Sequence, residues 1–245
     1  MKTYNFNKDI AVVNLGDLHL GSSFCDVSGV DKAIDYILKN ENVYWVSTGD
    51  ILDINLKQSK TFDYEGISVG KEIEMAVKML EPIKQKCLGV VGSNHHYRVE
   101  KEIGLNIDNM LCKMLGIPYL GYTGFLRLIV DGCGHFICLH HTNGFGRSRG
   151  AKANSAERLS DVYRGYDVYM TGHTHCYQHL IDKINILDRK HYTNMLVTTH
   201  IVTTGHYLNY SGSYAERMLL TPAPKGSSIV YMNKSKQIKA NFIEV

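Results

Sequence analysis

Short apolar runs and stretches of helical period alternate along the first half of this 245-residue chain, and a polar cluster closes nearly every run. Asp9–Leu15 (D-I-A-V-V-N-L) is a β-branched run of strand length, and Val30, Ala33, Ile34, Ile37 and Leu38 then fall at helical spacing. Val43–Thr48 reads as a second strand. Ile73, Ala76, Val77, Leu80 and Ile83 mark a helix, Cys87–Val91 a third strand, and Ile103, Ile107, Met110, Leu111 and Met114 another helix. Such alternation is the pattern of an α/β domain with a largely parallel sheet.

The second half changes character. Phe125–Val130 and His135–His140 flank Asp131-Gly-Cys-Gly134, which predicts a hairpin. Lys152–Tyr163 suits a helix and Tyr166–Met170 a strand. Beyond Tyr177 short strands and turns dominate, clearest at Met195–Thr203, Ser228–Met232 and Ile238–Val245, so a second, more antiparallel sheet is expected beside the first. With neither repeats nor linkers, one domain over residues 1–245 is expected.

Composition narrows the class. The apolar fraction of 44% and the charged fraction of 21% are those of a globular chain able to bury a full core. No apolar run reaches the roughly 18 residues of a membrane span, so no membrane partner is expected. Met1–Asp9 has no apolar segment of the secretory kind. The six cysteines form no Cys-x-x-Cys pair and read as reduced thiols, not as a disulfide frame or a zinc ribbon, so a cytoplasmic location is expected. Lys+Arg 27 against Asp+Glu 24 gives +3, which permits an anionic ligand without demanding nucleic acid.

The twelve histidines cluster, and they cluster where strands end. Asp17-Leu-His19 follows the first strand, Asp50-Ile-Leu-Asp53 the second and Asn94-His95-His96 the third. His140-His141 closes the hairpin strand, and His173-Thr-His175 follows the strand at Tyr166–Met170. Ligands of open α/β sheets bind beyond the carboxyl ends of the strands. Asp17 and His19, two apart on extended chain, can grip one ion; His173 and His175 share that spacing, and one can face each of two ions. A carboxylate such as Asp50 can bridge two cations. Mixed nitrogen and oxygen ligation suits Mn, Fe or Zn better than Ca or Mg. Glycines before Asp17, Asp50 and His173 are expected to allow tight turns where the chain leaves each strand. Adjacent residues of a strand face opposite sides, so only one of His140 and His141 is a ligand.

In this order, Asp17-x-His19, Gly49-Asp50-x-x-Asp53, Asn94-His95, His140 and Gly172-His173-x-His175 resemble the signature of the calcineurin-like metallophosphoesterases, over roughly two thirds of the chain. The resemblance implies a four-layer α/β sandwich, with two mixed β-sheets flanked by helices, around a dinuclear metal centre. It implies that Asp17, His19 and His175 hold one ion and Asn94, His140 and His173 the other, with Asp50 bridging; His140 is preferred because it directly ends the apolar strand, and His141 is the alternative. It implies that His95 protonates the leaving oxygen and that Asp53 orients its ring. Ser93 departs from the pattern by separating Gly92 from Asn94. His96 stands where a carboxylate is usual, and Ile54 where the protein Ser/Thr phosphatase branch has Arg. The chain is thus closer to the phosphodiesterase and repair-exonuclease branches.

The expected activity is hydrolysis of a phosphate ester by attack of a metal-bound hydroxide, on diesters before monoesters, with nucleic acid the leading substrate class. A small-molecule phosphomonoesterase and a non-catalytic scaffold are the alternatives. Arg147 and Arg149, in the glycine-rich loop after His141, are candidate phosphate clamps. Tyr207, Tyr210 and Tyr214 flank a second glycine- and serine-rich loop and read first as core or surface residues, with base stacking as the functional alternative. Of the remaining histidines, His206 is the strongest candidate for joining the site.

Overall fold

A computed structural model describes residues 1–57, 62–143, 146, 148–188 and 190–245. The apolar runs of the first half form β2 (Ile10–Asn14), β3 (Val43–Ser47) and β4 (Cys87–Val90), three parallel neighbours joined through α1 (Val27–Lys39) and α2 (Val69–Leu80). Asp26 caps α1 by accepting from Gly29 N at 3.0 Å. A 3₁₀ turn over Glu81–Lys86 carries α2 into β4.

The helix predicted around Ile103–Met114 is two helices, α3 (Asn94–Ile103) and α4 (Ile107–Leu115). Gly104, left-handed at φ 71°, closes α3, and Asn106 caps α4 by accepting from Asn109 N at 2.8 Å. The hairpin is as expected, β5 (Thr123–Val130) with β6 (Cys133–His140). Its turn is only Asp131-Gly132, both at positive φ, the geometry a two-residue hairpin needs. α5 (Arg149–Val162) and β7 (Val168–Thr171) follow. A long hairpin joins β8 (Gln178–Asp188) to β9 (Thr193–Thr203), and after α6 (Tyr214–Arg217) come β10 (Gly226–Met232) and β11 (Ile238–Glu244).

Two sheets result, ordered β1-β5-β6-β7-β9-β8 and β11-β10-β2-β3-β4, where β1 is Lys2–Phe6. Both are mixed. The halves of the chain do not segregate as expected: β1 crosses into the second sheet beside β5, and β10 and β11 return to the first beside β2.

Period-two alternation explains the layers. On β2, Ile10 and Val12 face the other sheet, while Ala11 and Val13 face the helices. Between the sheets Ile10, Val12, Val46 and Leu88 meet Leu126, Leu128, Ile137 and Leu139. Outside the first sheet, Val13 and Trp45 pack on Ile34 and Ile37 of α1, Ala76 and Leu80 of α2 and Leu111 of α4. Outside the second, Cys138, Tyr169 and Ile201 receive Ala156 and Leu159 of α5. Helices, sheet, sheet and helix make the four-layer α/β sandwich. Among the described residues no helix is long and apolar enough to cross a membrane.

Trp45 is fully buried, and its Nε1 donates to Ile83 O at 2.8 Å. Trp45→Ala should cost about 3–5 kcal/mol of stability. Urea unfolding followed by circular dichroism will measure it, since this is the only tryptophan in the chain.

Candidate metal centre

The parallel strands β2, β3, β4, β6 and β7 bring their carboxyl ends to one rim of the sandwich, and the polar clusters converge there. Backbone bonds stitch the exit loops together. Asp17 N donates to Gly49 O and His19 N to Asp50 O, both at 3.0 Å, and Leu20 N donates to Ile51 O at 2.9 Å. Buried among them are Asp17, His19 and Asp50, each at most 2% exposed.

Three groups of donors form among the described residues, and one of them, His19, Asp53 and His95, shares His19 with the first of the other two. In the first, Asp17, His19 and His175 offer atoms that lie within 4.8 Å of one another; His19 Nε2 is 3.0 Å from His175 Nε2, which is 3.3 Å from Asp17 Oδ1. In the second, within the same limit, stand Asp50, His141 and His173. His141 Nε2 lies 3.1 Å from Asp50 Oδ2 and 2.7 Å from Asn94 Oδ1. His95 adjoins both, its Nε2 3.8 Å from Asp50 Oδ2 and its ring 5.0 Å from that of His19.

His141, not His140, occupies the second set. Ile137 and Leu139 of β6 point between the sheets, so His141 continues that inner face, and its Nδ1 donates to Thr48 O at 2.7 Å. His140 shares the face of Cys138 toward α5, where its Nδ1 accepts from Thr142 N at 2.7 Å and the ring lines a hollow with Ser155 and Arg158. The alternation of Ile137 and Leu139 was the signal in the sequence.

The turns are made differently from the glycine expectation. Asp17, His19, Asp50, His173 and His175 themselves sit at positive φ, between 49° and 72°. Of the three preceding glycines only Gly49 is left-handed, at φ 101°. Gly16 and Gly172 serve close approach, because a Cβ would come within 2.6 Å and 2.7 Å of Thr48 Oγ1 and, at Gly172, equally near Asp17 Oδ2. That approach lets His173 N donate to both Asp17 oxygens, at 2.9 and 3.0 Å.

Electrostatics follow from burial and pairing. Burial works against the charged form of Asp50, but His141, His95 and His19 outweigh it and hold the carboxyl well below the usual range. Asp17 is likewise lowered against burial, chiefly by His175. Burial opposes the cation on His141, yet Asp50 and Asp17 push it up to about 9. His173 and His95 have weaker carboxylate support, and burial pushes each down to about 4. Asp50 Oδ1 is buried and has no hydrogen-bond partner among the described residues. An orphaned carboxylate oxygen, with imidazole nitrogens converging beside it, fits divalent cations bound through mixed nitrogen and oxygen donors.

Asp53 has two tasks here. Its Oδ1 lies 3.1 Å from His19 Nδ1, and its backbone carbonyl, not its carboxylate, accepts from His95 Nδ1 at 2.5 Å. Sequence reasoning missed what holds Asp53. Glu72 of α2, fully buried, accepts from Ile54 N at 2.8 Å and Asn55 N at 3.2 Å and so fixes the next turn of that loop. His96, in the usual carboxylate position, lies 2.8 Å from Ser93 N and 2.7 Å from Asp108 Oδ2, so it braces the capping residue that starts α3 at Asn94. His206 stacks on His175 with ring centroids 5.0 Å apart.

Basic residues stand near the donors. Arg147 lies outside the described residues. Arg149 opens α5 and lines, with Cys176, a hollow that shares Lys152 and Pro222 with the cavity over the donors. Arg98 lines the cavity over the donors with Asn94, His95 and Lys152. Its place one helical turn beyond Asn94 was the available signal.

No family model matches the chain. Among curated proteins, exonuclease subunit 1 of Enterobacteria phage T4 is 24% identical over 194 residues, 67% of this chain and 55% of that protein. The chain thus spans about half the length of that relative. Of solved structures, the calcineurin-like phosphoesterase YfkN from Bacillus subtilis aligns with a TM-score of 0.46 at 8% identity, over 97% of this chain and 91% of that one. The nuclease MPE of Pseudomonas putida aligns with a TM-score of 0.39 at 11% identity, over 94% and 87%. In the order of its donor segments the chain resembles the calcineurin-like metallophosphoesterases.

His141→Ala should weaken metal retention by at least the roughly 10–100-fold that loss of a supporting partner alone brings. His140→Ala should retain metal as the unmodified protein does. Elemental analysis after dialysis against Mn²⁺ distinguishes the two, and equal retention by both variants would contradict the assignment.

Proposed function

We propose that the chain is a metal-dependent phosphoric ester hydrolase acting on phosphodiesters, with two divalent ions held by the two donor sets. Asp17, His19 and His175 would hold one ion, and Asn94, His141 and His173 the other, with Asp50 reaching both. The observation that carries this reading is the pair of largely buried donor triads at one rim, with His95 close to Asp50 of one and His19 of the other. When bound, such ions neutralise a phosphate and acidify a water molecule.

The chain's own residues do the rest. His95 is held through Nδ1 by the Asp53 carbonyl, an acceptor only, so Nδ1 carries the proton and Nε2 faces the cleft. Nε2 is then the atom that gives a proton to a leaving oxygen. Burial keeps the free ring neutral at pH 7; an anion arriving beside Nε2 favours the second proton. Arg98 and Lys152 line the same cavity, of about 450 Å³, where they attract phosphate oxygens. A diester is favoured over a monoester because His95 lines a second cavity as well. The phage T4 relative carries the name of an exonuclease subunit, which favours nucleic acid as the diester.

Protein stripped with EDTA and reloaded with Mn²⁺, Fe²⁺ or Zn²⁺ should regain hydrolysis of bis(p-nitrophenyl) phosphate and of single-stranded DNA, and prefer both to p-nitrophenyl phosphate. No diester turnover with any of the three metals would defeat the proposal. His95→Ala should keep bound metal but lose about 10²–10⁴-fold in kcat. The loss should be greatest for alkyl leaving groups, which need the proton most.

A further inference from the structure

A second cavity, of about 310 Å³, is lined by His95 but by neither Arg98 nor Lys152. Two loops build it. The chain leaving Asp17 and His19 continues through Ser22, Ser23 and Phe24, and the chain leaving β9 returns through Leu208 to Tyr214. An antiparallel bridge between Cys25 and Leu208, with Asn209 N donating to Phe24 O at 2.8 Å, ties the two loops together. His95 and Tyr214 line both cavities, so the two are neighbouring compartments that meet at these residues.

The compartments differ in chemistry. Among the described residues, the Arg98 side carries Arg98 and Lys152 and no carboxylate. The Phe24 side, again among the described residues, has aromatic walls, Phe24, Phe62 and Tyr214, and carries the carboxylates of Asp53, Asp63 and Glu65 and the guanidinium of Arg217. Asp63 is fixed there, accepting from Ser23 N at 2.7 Å and Glu65 N at 3.0 Å. A further phosphate would be repelled from this compartment, whereas an uncharged planar ring would be bound by its aromatic walls.

We infer that this second cavity is a leaving-group subsite for a nucleoside, its base placed against Phe24 and Tyr214 while the ester oxygen faces His95. The inference rests on the diesterase reading and adds polarity to it: phosphate toward Arg98, leaving nucleoside toward Phe24. A cavity of this size lies at the small end of ligand pockets and suits one nucleoside, not a chain.

Adenosine binding to the metal-free protein, followed by saturation-transfer NMR and calorimetry, tests the subsite without hydrolysis. Phe24→Ala and Tyr214→Ala should each weaken binding about tenfold (about 1.4 kcal/mol), the low end for a base stacked on an aromatic ring. Tyr214→Phe should restore it, and ribose should not bind. Melting curves verify that each variant is folded. In the Mn²⁺-loaded enzyme, the ratio of kcat/KM for adenylyl-adenosine to that for the methyl ester of adenosine 3′-phosphate should fall about tenfold in both alanine variants. Failure of adenosine to bind, or binding indifferent to the ring at 214, overturns the inference. Adenosine binding that follows the ring series, in a protein that hydrolyses no diester, supports the subsite and overturns only the diesterase reading.

Discussion

Two carboxylates buried within one small volume govern the rim of this molecule. Asp17 and Asp50 are removed from water at the ends of β2 and β3, and a buried charge is stable only when countered. Among the described residues their ion-pair partners are histidines alone, His175 for Asp17 and His141 and His95 for Asp50. Histidine counters a carboxylate only as the cation, yet it ligates metal only when neutral. Metal and protons therefore compete for the same buried charge, so uptake of a divalent ion at this rim releases protons. The rise of His141 to about 9 shows how strongly the carboxylates demand a positive neighbour.

Placing such donors requires strain, and the fold supplies its support. Five candidate donors occupy the left-handed region, which costs a residue other than glycine roughly 1–2 kcal/mol. Asp and His tolerate it better than most. The conformations persist because the backbone around them is over-determined: the Asp17 loop bonds to the Gly49–Ile51 segment, and Tyr207 N donates to Asp17 O at 3.2 Å. Glu72 clamps the loop after Asp53 from the helical layer. The parallel strands thus fix the ends, and the exit loops turn the donors inward.

The strands of the first half were legible because each is an apolar β-branched run, and the donor segments because each follows such a run. β1 was not: Lys-Thr-Tyr-Asn-Phe is short, mostly exposed and at a sheet edge, so its pattern carries little apolar contrast. β8 escaped for a related reason. No residue of it is buried, and Ile181 and Leu187 are more than 60% exposed, so its apolar residues do not mark a core face. The choice between His140 and His141 turned on strand phase. A one-residue error there moves a side chain from the space between the sheets to the far side of the second sheet. The brace around Asp53 was invisible because Glu72 belongs to a helix whose other charged residues simply face water. Only the packing of α2 against the loop after β3 gives that one carboxylate a partner.

The two compartments that meet at His95 bear on mono- versus diesters more directly than the donors do, since the same donor set serves either substrate. A monoester presents one organic group, and cleavage needs room on one side of the proton donor only. Among the described residues both sides are lined, with different electrostatic character: basic toward Arg98, aromatic and carboxylate-rich toward Phe24. A substrate that uses both must carry phosphate at its centre, further negative charge or none on one flank, and an uncharged ring on the other. Tyr214, half-buried and kept in its neutral form by burial, lies where the flanks join. It can touch the leaving group without adding charge beside the carboxylates. That division of labour, charge on one side and aromatic surface on the other, is what the proposed nucleoside phosphodiester would use.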